Sequence, residues 1–326
     1  MRFGTLIPHF GQYASRDSII RLAARAEESG FDSLWARDHL IWKPHGIDGT
    51  DRTFVEPFVT LAAAAAVTSH VELGTAVTIP VRWPLKLAQE FANLSFVAGG
   101  RVTAGIGLGA NPAEFAAAGF RPEDREAIFA ESVDILRQAW AGPVHYAGEV
   151  FRIDGVELWP KPLNEIAIMY GRTTPAGARR AVRYTDGWFC GRLPMATLDN
   201  RLELIASMPE AQGRHIRTSI QPLVMIDRTR EAARRRIPVA AVAQSSEGAK
   251  FWVPPPSGGF ERAEDLEGLV LWGTAEDIVE QALQFEERGI DDLIFDLRLQ
   301  FEEFEWALDH LGEHVLPVLR SAATTE

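Results

Sequence analysis

Eight times in this chain a short run of β-branched and aromatic residues gives way to an amphipathic helical pattern, and no other property of the sequence limits its fold so strongly. The strand-like runs are 2–7, 33–36, 71–76, 102–106, 166–170, 187–190, 219–226 and 292–296. Helical periodicity covers 18–29, 57–69, 85–97, 124–140, 175–185, 196–208, 275–288 and 301–319. Local chemistry supports these boundaries. In the first helix Asp17 stands where a cap is needed, Ile19, Leu22, Ala23 and Ala26 form one apolar face, and Gly30 suits the left-handed position beyond the end. In the helix at 275–288, Thr274 and Asp277 have capping-box spacing, Ile278, Ala282 and Phe285 make the stripe, and Gly289 stops it.

Strict alternation calls for a parallel sheet covered by helices, and eight units let that sheet close on itself. The expectation is one α/β domain over 1–326, a (β/α)8 TIM barrel with its active site at the C-terminal ends of the strands; the rival is an open doubly wound sheet. Three stretches exceed ordinary loop length, 41–56, 141–165 and 227–272, and read as insertions after strands two, four and seven. The second contains a hairpin pattern turning at Ala147-Gly148. The third carries Arg234-Arg235-Arg236, then Phe251-Trp252 and Ser257-Gly258-Gly259, a mixture suited either to a lid or to a subunit contact.

Composition removes several function classes. Cys190 is the single cysteine, so there is no internal disulfide and no thiolate-rich metal site, and its place in a strand-like run suits a small apolar role. Met1 leads straight into strand-like residues without a signal-peptide pattern, and the longest apolar run, 61–67, is far short of the roughly 18 residues of a membrane span. A cytoplasmic protein with no membrane partner is expected. A formal net charge of −12, without a basic stripe, argues against nucleic acid.

Four groups of residues have chemical potential. Strand two ends in Arg37-Asp38-His39 with Trp42 close by, placing an imidazole at the catalytic face of a barrel. His39 suits hydrogen bonding to a cofactor or substrate, or plain packing; Asp38 suits orienting His39, or a structural ion pair. Strand five ends in Gly171-Arg172-Thr173-Thr174 before Pro175, a combination of flexible backbone, fork-shaped cation, hydroxyls and helix N-terminus that can cradle a phosphate. The plainer role for Thr174 is to cap the helix. Gly105, Gly107, Gly109 and Ala110 form a loose dinucleotide pattern, which keeps an NAD-dependent dehydrogenase in view. Pro112 follows at once and no acid-ended strand lies about 20 residues on, so in a barrel these glycines rather let a planar ring approach the backbone. His310 and His314 are one helical turn apart, but the helix is peripheral and Leu311, not the carboxylate of a zincin motif, follows the first histidine, so no metal is expected.

Several blocks in order resemble the luciferase-like monooxygenases. They are Phe3-Gly4, the run from Ala26 to Trp35 with Asp38-His39, Glu56-Pro57, Leu73 to Val77, Gly99-Gly100-Arg101, the glycines 105 to 109, Ala139-Trp140, Trp159 to Pro162, Asp186-Gly187-Trp188, Gly273-Thr274 and Gly289-Ile290-Asp291. The resemblance implies a barrel holding reduced FMN or coenzyme F420 at its C-terminal face. It implies that His39 sits beside the reactive ring, that Thr75-Ala76-Val77 forms a bulged or cis segment behind it, and that Gly171 to Thr174 grip the cofactor phosphate. Gly107 and Gly109 belong to the same cofactor set. One departure matters: Ala110 stands where sugar-phosphate dehydrogenases of the deazaflavin branch carry a glutamate proton donor. The reading placed first is monooxygenation of a small, largely apolar substrate with FMNH2 and oxygen, shielded by Phe10, Trp42 and Trp252. The alternative is F420-dependent hydride transfer; a non-catalytic flavin-binding barrel stands further off, since His39 is intact. The resemblance also implies a homo-oligomer and a separate flavin or F420 reductase as partner.

Overall fold

The strands form where the alternation places them, and they close. The computed structural model describes residues 1–44, 46–245 and 248–323. Its strands are β1 (Arg2–Leu6), β2 (Ser33–Ala36), β3 (Glu72–Thr75), β4 (Val102–Gly107), β5 (Val144–Ala147), β6 (Arg152–Val156), β7 (Ala167–Gly171), β8 (Gly187–Phe189), β9 (Arg217–Ile220), β10 (Leu223–Ile226), β11 (Val270–Gly273) and β12 (Asp292–Phe295). Eight of them pair in parallel around a closed barrel in the order β1, β2, β3, β4, β7, β8, β9, β12. The registers Ala36↔Thr75, Gly107↔Gly171 and Gly171↔Phe189 bring the strand tips to one rim.

Helices cover the barrel through the stripes read from the sequence. In the helix Arg16–Glu28 the buried residues are Ile19, Leu22, Ala23 and Ala26, and Gly30 takes φ 88°, the left-handed turn that releases the chain into β2. The cap is Ser15 rather than Asp17. Its hydroxyl accepts the Ser18 N–H while the Ser18 side chain accepts the Ser15 N–H, a reciprocal pair that an aspartate two residues later cannot make. Thr274 and Asp277 form the expected box at the start of Ala275–Glu286.

The barrel is filled, not hollow. Leu6, Trp35, Met169, Phe189 and Ile294 pack inside it, with Ala76 and Val77 resting on them. At the N-terminal end Arg217 closes the barrel, its Nε 2.7 Å from Asp292 Oδ2 and its Nη2 3.0 Å from Glu72 Oε1. Chemistry is therefore confined to the opposite rim.

Three expectations change. The strand read at 219–226 is two strands, because Pro222 has no N–H to continue the ladder: β9 stays in the barrel, and β10 leaves it to pair with β11 in a separate parallel ribbon. β11 lies in the stretch 227–272 read as an insertion, which also holds the helices Arg230–Arg236 and Val239–Gln244; residues 246 and 247 fall outside the described set. The hairpin in 141–165 is β5 and β6, turning over 148–151 rather than at Ala147-Gly148 alone. It follows the helix Arg125–Ala141 and packs on the flank, its turn held by the Glu131 carboxylate, which accepts the N–H groups of Glu149, Val150 and Phe151. Among the described residues no helix is long and apolar enough to cross a membrane.

Candidate active site

Behind the tip of β2 lies His9. It is buried, its Nδ1 is 2.7 Å from the Val55 carbonyl, and its Nε2 accepts the Arg37 backbone N–H at 2.9 Å. A neutral ring protonated on Nδ1 satisfies both partners. Burial, partly opposed by the Val55 hydrogen bond and reinforced by the Arg37 cation, drives its pKa from the ordinary 6.5 down to about 3. The unfolded chain gains this proton near pH 6.5, the folded chain only near pH 3, so the stabilisation is full above 6.5 and is lost as pH falls. Below pH 6 the stability advantage of the natural protein over His9→Gln is expected to shrink by about 1.4 kcal/mol per pH unit in urea unfolding. A difference that does not vary with pH would refute the neutral ring.

Asp38 makes a structural ion pair. Both its oxygens are 2.9 Å from Arg82 Nη2, and Oδ2 also accepts the Ile79 N–H at 3.1 Å. His39 is oriented instead by Glu114, whose Oε1 is 3.3 Å from His39 Nδ1 and 3.1 Å from the Ile41 N–H. Burial alone would raise the Glu114 pKa, but the hydrogen bonds from His39 and from the backbone of Ile41 and Leu40 outweigh it and hold the carboxyl below its ordinary range. An ionised Glu114 accepts a hydrogen bond from Nδ1–H, which leaves Nε2 as an acceptor, with the ring braced by Trp42 at 5.2 Å and Phe54 at 5.7 Å between centroids. The sequence reading missed Glu114. Its signal was Asn111-Pro112: the Asn111 side chain caps Ala113 N–H, Pro112 opens a helix, and Glu114 falls in its first turn.

After β3 the chain turns inward through a cis Ala76–Val77 peptide. The bulge is tied to β4: Thr75 Oγ1 donates to the Gly105 carbonyl at 2.7 Å, Thr78 N–H to the same oxygen at 2.8 Å, and Gly107 N–H to Thr78 O at 2.8 Å. This corrects the role read for the glycines. A Cβ on Gly105 would lie 1.9 Å from Thr75 O, and on Gly107 2.6 Å from a Val77 methyl; Gly109, at φ 73°, faces Ile79 and Phe115. The glycines make room for the bulge, and the bulge meets the cavity in their place. Gly171 serves both purposes, since its vacant Cβ position also faces Val77.

Two adjoining cavities open at the rim. One, about 230 Å3, is lined by Ala76, Val77, Gly171, Arg172 and Thr173 together with Arg37, Arg192 and Arg298. The second, about 880 Å3, is lined by His39, Ala110 and Glu114 and roofed by Ala240, Ala241 and Gln244 of the insertion; Ser245 borders both. Thr174 stands aside as the cap of Pro175–Tyr184, accepting the Gly177 N–H at 3.1 Å.

The aromatic residues expected around the substrate lie elsewhere. Phe10 and Trp42 form a layer beneath the rim, with the Arg37 guanidinium 5.0 Å and 4.8 Å from their ring centroids, and neither borders these two cavities. Trp252 packs on Phe260, while Val253 N–H donates to Thr197 Oγ1 and Arg201 donates to the Phe251 carbonyl. Those contacts moor the insertion to the flanking helix Met195–Ala206; the part over the rim is the small-residue helix Val239–Gln244. Cys190 is fully buried, which raises its thiol pKa far above the nucleophilic range. Among the described residues no three potential ligand side chains converge on a metal site.

The profile of a family described as luciferase-like monooxygenase matches residues 1–292. The chain belongs to that family. Over 96% of its own length and 96% of the relative's, this luciferase-like protein is 30% identical to an F420-dependent glucose-6-phosphate dehydrogenase of Nakamurella multipartita. An F420-dependent hydroxymycolic acid dehydrogenase of Mycobacterium tuberculosis is 34% identical over 177 residues, 53% of this chain and 48% of the other. Monooxygenase RslO1 from Streptomyces bottropensis superposes with a TM-score of 0.76 at 26% identity, over 98% of this chain and 99% of that one. An F420-dependent secondary alcohol dehydrogenase in complex with an F420-acetone adduct shares the luciferase-like fold at a TM-score of 0.78 and 22% identity, over 98% and 99% of the two chains.

Proposed function

We propose that this luciferase-like oxidoreductase transfers hydride between a small hydroxyl-bearing substrate and coenzyme F420. The observation that carries the proposal is the 30% identity, along nearly the whole of both chains, to an F420-dependent dehydrogenase. This reverses the order of the sequence expectation, which put FMN and oxygen first. A physical argument supports the reversal. Oxygen activation on a reduced flavin calls for an apolar, water-excluding enclosure, yet Phe10, Trp42 and Trp252 do not border the cavity beside the bulge, and four arginines, Arg37, Arg172, Arg192 and Arg298, do.

The residues present fit a deazaflavin. A flat ring needs apolar backing with a phosphate cradle nearby, and Ala76-Val77 and Gly171 to Thr173 border the same cavity. When bound, F420 supplies a two-electron hydride carrier. The protein supplies the proton path: His39 Nε2 accepts the hydroxyl proton as the substrate loses hydride, and Glu114 stabilises the resulting imidazolium through Nδ1–H. In the reverse direction the same imidazolium returns it. Ala110 borders the second cavity and offers no proton, so this chemistry rests on His39 with Glu114.

Titration of the purified protein with F420 and with FMN tests the reading. Tighter binding of F420, with loss of its oxidised absorbance on adding an alcohol substrate, is expected. Tighter binding of FMN, with oxygen uptake once the flavin is reduced, would overturn it. Arg172→Ala is expected to weaken F420 binding about tenfold or more, a loss of about 1.4 kcal/mol, with an unchanged melting temperature. Undiminished affinity would remove Arg172 from the cradle.

A further inference from the structure

In the cavity that the Ala76–Val77 bulge borders, the described residues carry more buried positive charge than they neutralise. Arg298 is fully engaged: its Nε donates to Asp296 Oδ1 at 2.9 Å, its Nη2 lies 2.6 Å from Asp296 Oδ2, and its Nη1 donates to Asp48 Oδ1 at 3.0 Å. Those two carboxylates, both without side-chain exposure, are then largely used. Gln221 Nε2 takes a further position on Asp296 at 2.9 Å.

Arg37 and Arg192 face the same two acids without reaching them. Arg37 Nη1 is 3.8 Å from Asp48 Oδ1, beyond hydrogen-bond range, and has no hydrogen-bond partner and no exposed surface. Arg192 donates through Nη2 to Ser245 Oγ at 2.8 Å, but its Nε is buried and unpartnered. Among the described residues three cations against two anions leave one positive charge over, in a place where an unpaired buried charge is costly. Burial first, and then repulsion from Arg298, lowers the pKa of Arg37 to about 9 and of Arg192 to about 10; both remain cations at neutral pH.

We propose that Arg37 and Arg192 form an anion subsite for the substrate, whose guanidinium groups take one carboxylate or phosphate group while Arg298 holds the two aspartates away from it. Arg37, Arg192 and Arg298 follow β2, β8 and β12, and the cavity they line is the one that Ala76 and Val77 after β3 and Gly171 at the end of β7 also border. A substrate anchored on these arginines shares that cavity with the ring. The inference rests on the F420 reading only for that ring; the surplus charge and the unpartnered nitrogens stand without it. It departs from the expectation of a largely apolar substrate, which rested on aromatic residues that border neither cavity. The substrates implied are hydroxy acids or phosphate esters of polyols.

Calorimetric titration with inorganic phosphate and with malonate at constant ionic strength, with and without F420, tests this directly. Saturable one-to-one binding is expected, weakened about tenfold or more in Arg192→Met, as befits loss of a charge-assisted hydrogen bond, while F420 affinity is unchanged. Arg192→Lys, which keeps the charge but lacks Nε, is expected to fall between. Preference for phosphate assigns phosphate esters, and preference for malonate assigns hydroxy acids; both support the subsite. Absence of binding beyond that of chloride, or equal binding by natural protein and a folded Arg192→Met, overturns it. Failure of the F420 reading would appear separately, as no F420 binding with the anion titrations intact.

Discussion

Replacing His39 by alanine is expected to lower turnover by about a hundred- to ten-thousandfold while F420 affinity changes little, the range attached to losing a positioned general base. The expectation follows from geometry. His39 borders the rim cavity with Nδ1 committed to Glu114, so its remaining nitrogen is the free acceptor where a hydroxyl proton must go. The companion variant Glu114→Gln tests the pairing. A glutamine at this distance can still hydrogen-bond the ring, but it cannot stabilise the imidazolium, so the pH profile of kcat is expected to shift and kcat to fall, with KM little changed. Stopped-flow measurement of the hydride step separates this from product release. Unaltered turnover in His39→Ala would take the imidazole out of the mechanism and leave its contacts with Trp42 and Phe54 as packing.

The largest stability effect is expected at Gly105, far from any titrating group. An added methyl would stand 1.9 Å from the Thr75 carbonyl oxygen, and that oxygen is main chain, so it cannot rotate away as a side chain would. Either β4 or the bulge must move, and both are tied by the hydrogen bonds that Gly105 O accepts from Thr75 and Thr78. Gly105→Ala is expected to cost about 2–4 kcal/mol, a fall in melting temperature of roughly 3–6 °C, and to weaken F420 binding in the fraction that folds, because the bulge is the floor of the cavity. Gly142→Ala is the control: nothing lies within 4 Å of its added methyl, and a change within about 0.5 kcal/mol is expected. Equal losses at both positions would refute the fit of the bulge against β4.

The pattern of successes and failures has a physical basis. Architecture was legible because it is written in local periodicity: each strand–helix unit announces its apolar stripe and its caps, and eight units of that kind have few other ways to bury both faces of a parallel sheet. The Thr274–Asp277 box and the turn at Gly30 were readable for the same reason, since each is a contact between residues a few positions apart. Even the Ser15 cap and the break at Pro222 were present in the sequence and called only for closer local reading. That His39 and Gly171 to Thr173 border cavities at one rim was legible because the strand tips of a barrel share it.

What the alternation left open depends on distances between residues far apart in the chain. That Glu114 turns toward His39, that Gly105 yields to Thr75 rather than to a cofactor, and that Trp252 docks on Thr197's helix instead of the cavity are outcomes of packing, which no local pattern encodes. The same holds for the arginine cluster. Arg37, Arg192 and Arg298 are unremarkable surface-type residues in the sequence, and only closure of the barrel sets them around two aspartates with one positive charge to spare. Fold class follows from repeated short-range chemistry; the site's electrostatics follow from which long-range neighbours the closed barrel brings within a few ångströms, because charge interactions depend on separation in space and not along the chain.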